Sequence, residues 1–430
     1  MIVQHDDVEL YLITGNLAMH RQRLWIAICA AAATLGTTVT NAEFIDDSQV
    51  QLKLKNFYLD RQYDDLPQNN WGSWSQGITL DAKSGYANLG VVKVGADILV
   101  QHAVRLNGHD KNADWVLPYS NDKQASDFGK VGATLKAKVS QTELKVGEIL
   151  PVSPVLLVDP SRQLLTTYRG VWLESKELKN SKLTLAYIDG MNARYDNQFQ
   201  DLSLFPNNNP DTAKAANAMY IVGIDHQFNE KMGASYWYAD VQNIYKQHYI
   251  GVNYNRELAE KIKLISHIRY FDNSESGDKL YGEINNQALS VGAKVNHGAH
   301  TFGLGYQQMF GDNAFPTLAG WVPQPYLVNW GVATFTHVNE KSWGFTYAYD
   351  FSELDAKGLS ATAVYFTGSD ADVAGKQAQK SDEINLILNY TLSEGKFKGL
   401  GIQGMYIDAD FDWKTDLKEY RLATTYTYNF

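Results

Sequence analysis

From Glu43 onward, apolar and polar residues exchange places at every second position over runs of about ten residues, and polar or glycine-containing connections separate the runs. A period of two is what a β-strand with unlike faces requires, because successive side chains leave opposite sides of the ribbon. In 131–140, Val131, Ala133, Leu135, Ala137 and Val139 share one face, while Gly132, Thr134, Lys136, Lys138 and Ser140 share the other. The last run separates Tyr420, Leu422, Thr424, Tyr426, Tyr428 and Phe430 from Arg421, Ala423, Thr425, Thr427 and Asn429. No stretch beyond Glu43 keeps a convincing helical period.

Counting such runs from 50–61 to 420–430 gives about nineteen, and ~9–11 residues each is enough to cross a bilayer at a strand tilt of about 45°. A single-chain bacterial barrel normally closes on an even number of antiparallel strands, with short turns on the periplasmic side and long loops outside. Counting 328–338 as a strand puts the long polar connections 311–327 and 368–381 on opposite sides of the membrane. Assigning 328–338 to the preceding loop brings both outside and leaves eighteen strands. The long connections 107–127, 151–167 and 190–217 then also fall outside, and the short turns 140–141, 229–231 and 296–299 fall inside. The expectation is an all-β chain forming one transmembrane antiparallel barrel over 43–430. A soluble β-sandwich competes, but a chain of this size would divide into several cores, and its connections would not sort by length.

Average composition adds that the membrane address is not helical. Mean hydropathy is −0.33 over 430 residues, and the one sustained apolar run, 24–36, falls short of the ~20 residues a spanning helix needs. That run follows the basic Met19-His-Arg-Gln-Arg23 and precedes Thr-Thr-Val-Thr-Asn-Ala42, the order of a secretory signal. Cleavage is expected after Ala42. Asp6, Asp7 and Glu9 lie ahead of the basic region and suit no export signal, so Met19 is the expected start, with a genuine extension as the alternative. Removing 1–42 discards Cys29, the only cysteine, and with it disulfide and thiol chemistry. The formal charge of −10 argues against nucleic acid as a partner. With 26 Tyr, 17 Phe and 10 Trp, the chain can furnish the aromatic girdles of a barrel.

Parity also decides where charge must point. A Lys or Arg facing lipid at mid-depth costs roughly 2–4 kcal/mol, so each apolar stripe faces lipid and the basic residues face the lumen. On the first strand Val50, Leu52 and Leu54 point out, which sends Lys53, Lys55 and Arg61 inward; the same rule places Lys136, Lys138, Arg269, Lys294 and Arg421 inside. A column of cations in a low-dielectric wall guides anions, and arginine can grip a carboxylate through two parallel hydrogen bonds. Asp81 and Asp97 share the inward parity, so the lining also reads as merely polar. The connection from Pro151 to Arg169 is too apolar for external water; folded inward, it would narrow the channel with Arg162 and Arg169, beside Asp159 and Ser161.

The chain resembles the outer-membrane porin D (OprD) family of substrate-specific bacterial porins along essentially the whole of 43–430. The segments that carry the resemblance are Phe44-Ile-Asp-Asp-Ser-Gln-Val-Gln-Leu-Lys-Leu-Lys-Asn-Phe-Tyr-Leu-Asp-Arg61, Leu144-Lys-Val-Gly-Glu148, Pro154-Val155, Ser161-Arg162, Ile244-Tyr-Lys-Gln-His-Tyr249, Ala299-His-Thr-Phe302, Gly311-Asp312 and Glu340-Lys-Ser-Trp343. The resemblance implies eighteen strands, an inward-folded third loop and a basic ladder conducting carboxylate-bearing solutes: amino acids, aromatic or other organic acids, and carbapenem-type β-lactams. It puts Lys55, Arg61, Lys138 and Arg421 at ladder positions and Arg162 at the third-loop arginine. The chain departs from the family at Gln403, Met405 and Val364, where relatives often carry arginine, and at Leu165, where they carry proline. Phe430 after alternating aromatics looks like the signal read by the outer-membrane assembly machinery. A monomer or loose homotrimer among outer-membrane lipids is expected.

Catalysis is not expected. The sequence holds no Gly-x-Ser-x-Gly, no His-Glu-x-x-His and no phosphate-binding glycine loop. His297 and His300 are spaced like metal ligands but flank a tight turn, and Asp272, Glu275 and Asp278 read as a solvated loop. Neither metal nor cofactor is implied. A barrel hydrolase and a barrel serving as adhesin or structural anchor are the alternatives.

Overall fold

The structure, a computed structural model, describes residues 41–108, 112–204, 214–318, 326–373 and 375–430. Residues 1–40 of the expected signal lie outside the described residues. Eighteen long strands build one antiparallel sheet. The first nine are β1 Gln49–Tyr63, β2 Trp71–Lys83, β3 Val92–Gly108, β4 Asp127–Val139, β5 Thr142–Ile149, β6 Thr167–Ser175, β7 Ser181–Asn192, β8 Met219–Gln227 and β9 Met232–Val241. The second nine are β10 Tyr245–Ala259, β11 Ile262–Glu275, β12 Asn285–His297, β13 His300–Gly311, β14 Lys341–Asp350, β15 Leu359–Val373, β16 Lys376–Thr391, β17 Gly401–Phe411 and β18 Leu417–Asn429. Each strand pairs with its neighbours in chain order, and β18 returns to β1 with Leu59 opposite Arg421 and Arg61 opposite Glu419. Closure leaves no edge with unpaired backbone groups, the condition for a sheet in hydrocarbon.

The two faces separate as the alternation requires. On β4, Val131 and Leu135 are 71% and 67% exposed on the outer surface, while Thr134 and Lys136 between and beside them are buried within. Aromatic side chains stand on the outer face toward both rims, among them Trp74, Trp343 and Tyr420 at the end with the long loops and Phe302, Tyr390 and Tyr428 at the other. The segment 328–338 is irregular rather than a strand, which is why eighteen, and not nineteen, is the number that closes.

The connection at 368–381 differs from its reading as a long loop. β15 runs on to Val373 and β16 begins at Lys376, with register shifts between Gly368 and Val373. Above the bilayer both faces of a ribbon meet water, so its residues turn polar while the ladder continues; polarity there marks height above the membrane, not loss of pairing.

Two outer connections fold into the barrel. The third, 150–166, buries Val155, Leu156 and Leu164 against the inner wall. Its backbone is fixed from the wall: Gln101 Oε1 accepts the Leu165 N–H at 2.9 Å, and Gln163 Nε2 donates to the Lys55 carbonyl at 2.8 Å. Gln163 lies over Gly77, where a Cβ would stand 2.3 Å from its amide nitrogen. The second is 326–340. Three glycines lie directly abreast on β12, β13 and β14, Gly292 opposite Gly305 and Gly305 opposite Gly344, and cut a groove for Val328 and Asn329. One row above, Ser290 Oγ and Gln307 Oε1 accept the Val328 and Asn329 N–H groups, and Glu383 Oε2 accepts that of Ala333 at 2.6 Å.

Candidate constriction of the channel

The narrowing that these loops create meets the wall at the β18–β1 seam. Arg61 and Arg421 have the inward parity of β1 and β18, and Glu419, two residues before Arg421, lies between them. Arg61 donates from Nε to Glu419 Oε2 at 2.6 Å and approaches it through Nη2 at 2.5 Å. Arg421 makes the matching pair of contacts with Oε1. The Arg61 guanidinium also lies 4.3 Å from the Trp71 ring, a cation–π contact that holds it flat.

The third loop supplies the next cation. Arg162 is buried, its Nη1 donates to the Ser161 carbonyl at 3.2 Å, and its Nε has no partner. Burial, then the neighbouring guanidiniums of Arg421 and Arg194, push its pKa well below an arginine's ordinary value, while Glu419 opposes them. A buried charge in that setting is relieved by an arriving anion. Lys55 donates to the carbonyls of Pro160 and Arg162, so it both pins the loop and adds charge. Asp159 and Ser161 do not face this group as free acceptors. Asp159 accepts the Ser161 N–H and the Arg194 guanidinium, and Ser161 Oγ also accepts from Arg194. Arg194 and Asp159 neutralise each other, leaving Lys55, Arg61, Arg162 and Arg421 around the single carboxylate of Glu419.

The remaining expected residues divide. Lys136 is inward but bound to Asp97 at 2.6 Å and to the Ser84 carbonyl, so its charge is cancelled locally. Lys138 lies 6.0 Å from the Tyr86 ring. On the far wall Arg269 stands over Tyr326 at 5.2 Å, and Lys294 on β12 is exposed. Arg169 is a correction. β6 begins at Thr167, so Arg169 falls on the parity opposite the buried Tyr168 and Trp172; it is half-exposed and paired with Asp189 at 2.6 Å, away from Arg162.

Three residues went unread in the sequence. Glu419 had a signal, since it shares Arg421's parity. Lys130 also had the inward parity of β4; it is buried against the Asn192 and Ala193 carbonyls and ties down the root of the next outer loop. Arg194, beyond the end of β7, had none, because parity lapses where a strand stops.

Residues 42–430 match the family model described as outer membrane porin, OprD family. The chain is 31% identical to the porin-like protein GalP of Pseudomonas putida, over 92% of this chain and 96% of that one. It superposes on Acinetobacter baumannii OccAB4 with a TM-score of 0.85 at 32% identity, covering 91% of this chain and 100% of that chain. Pseudomonas aeruginosa OpdK, solved with vanillate, matches at a TM-score of 0.84 and 28% identity, over 90% and 100%.

Proposed function

The chain belongs to the OprD family of outer membrane porins, and on that footing we propose that it passes small carboxylate-bearing solutes by passive diffusion, selected at the Arg61–Arg162–Arg421 constriction. It is an integral outer-membrane channel and not an enzyme. The observation that carries the substrate class is the excess of cations over carboxylates at the narrowest ring, where the wall excludes bulk water and focuses the field. Guanidiniums offer a planar carboxylate paired donors, which a simple ammonium does not. One similar channel was solved with vanillate, itself a carboxylate. Amino acids, aromatic acids and carbapenem-type β-lactams meet the same criterion. Lys138, Arg269 and Lys294 would extend the path along the lumen, and Lys136 would contribute structure more than field.

We also read 1–42 as an export signal and 43–430 as the barrel. Phe430, whose N–H donates to the Val50 carbonyl at 3.0 Å and whose ring stands 4.9 Å from Tyr428, would be read by the assembly machinery. The protein works as a monomer or loose homotrimer in this reading.

The test compares benzoate with benzamide, a neutral molecule of nearly the same shape. In liposome-swelling assays benzoate is expected to enter faster, and Arg61→Ala with Arg162→Ala to remove most of the difference. Equal entry of the two solutes through the unaltered channel would sink the reading.

A further inference from the structure

The lining at the seam contains one group whose sign is wrong for an anion path. Glu419 is fully buried, whereas the side chains above it, Arg61 and Arg421, are 9% and 18% exposed. Its two oxygens are shared out evenly: Oε2 takes the Nε and Nη2 edge of Arg61, and Oε1 takes the same edge of Arg421. Neither Nη1 takes part, so each guanidinium is gripped from behind with its other edge outside the grip. A solute at this ring meets the two cations and not the carboxylate that holds them. We infer that Glu419 is a positioning residue that makes the constriction selective for carboxylates over other anions, by fixing two guanidiniums as a preorganised receptor.

The geometry explains why a carboxylate serves better than a neutral residue. Arg61 and Glu419 are directly opposite across the β1–β18 ladder, and Arg421 is the next inward position on β18. Without a shared counter-ion the two guanidiniums, with Arg162 close by, would repel and splay into the lumen as mobile charges. Mobile cations attract chloride and carboxylates alike by field; fixed ones distinguish a planar, two-oxygen anion by geometry. Removing the carboxylate therefore has two opposed effects: more net positive charge, and less organisation of it.

This inference rests on the proposed carboxylate selectivity, and the benzoate and benzamide comparison on the unaltered channel tests that first. Given that preference, Glu419→Gln is measured by reversal potential in potassium chloride gradients and in mixed benzoate and chloride. The chloride-to-potassium permeability ratio is expected to rise, while the benzoate-to-chloride ratio falls by at least about threefold, the loss of one organised two-point contact. Glu419→Asp keeps the charge but shortens the reach; it should hold the chloride-to-potassium ratio and still lose benzoate preference. Should Glu419→Gln fail to assemble, Glu419→Asp carries the same test. A benzoate-to-chloride ratio that stays level or rises in whichever variant assembles would show Glu419 to be a counter-charge only, and would overturn the inference.

Discussion

At the scale of single residues, an inward cation matters by what it is bound to. Lys136 and Lys294 have the same parity and the same formal charge, yet Lys136 is buried against Asp97 and the Ser84 carbonyl, and Lys294 is exposed. Lys136→Met strands a carboxylate at a partly dried site, so it is expected to lower unfolding stability by about 1–3 kcal/mol, less than for a fully buried pair because the lumen is wet. Benzoate entry should change little, since the net field of the pair is already small. Lys294→Ala should leave stability within about 0.5 kcal/mol, as surface changes do, while lowering the chloride-to-potassium ratio. Denaturant melts of the two proteins in detergent, set beside their reversal potentials, check the contrast; equal stability losses would mean that pairing is not what separates them.

At the scale of elements, the 326–340 segment behaves as a thin inner layer on the wall, and its seat is made of absences. A Cβ on Gly305 would stand 2.8 Å from Val328 Cγ2 and 2.9 Å from Asn329 Oδ1, tighter than side chains tolerate. Gly305→Val should therefore unseat the 328–329 turn, with an overpacking cost of about 1–3 kcal/mol, and raise single-channel conductance; an unchanged conductance would mean that the segment does not narrow the pore. The segment also titrates. Glu340 is buried, one oxygen unpartnered and the other accepting the His337 N–H, and burial lifts its carboxyl to about 7 against a usual 4.5. The seated form therefore holds the proton more tightly, and seating weakens as pH rises from 4.5 through about 7. His337 acts in the opposite sense: burial, with Lys414 nearby, lowers it from 6.5 to about 4, so seating weakens as pH falls through that interval. Between 6.5 and 7 Glu340 acts against little opposition. Conductance noise should grow from pH 6.5 to 8, and Glu340→Gln should flatten that rise; a slope that persists in the variant would assign the titration elsewhere.

At the scale of the whole molecule, the two-faced ribbon was legible because every spanning residue must satisfy hydrocarbon on one side and water on the other, which writes the fold into parity. The same rule located Arg61 and Arg421, and loop polarity exposed the nineteenth strand as irregular. Parity fails where its physical cause does: above the bilayer, where 369–373 and 376–381 look like loop but stay paired, and beyond strand ends, where Arg169 and Arg194 exchanged their expected places. The inner docking of 326–340 was hidden because it depends on glycines facing one another across strands, a relation set by register and not by local sequence. Mid-strand on β16 the rule can be tried directly. Leu386 is exposed on the outer face between Asp382 and Tyr390, and its neighbour Ile387 has inward parity. A cation placed at 386 must sit in hydrocarbon or bend out of it, so Leu386→Arg should cost roughly 2–4 kcal/mol at mid-depth. Ile387→Arg places the same charge in the lumen, restores a cation to a stretch where this chain lacks them, and should fold with little loss while raising anion permeability. Reversible unfolding into lipid vesicles compares the two, and comparable penalties at these adjacent positions would contradict the assignment of faces on which the channel depends.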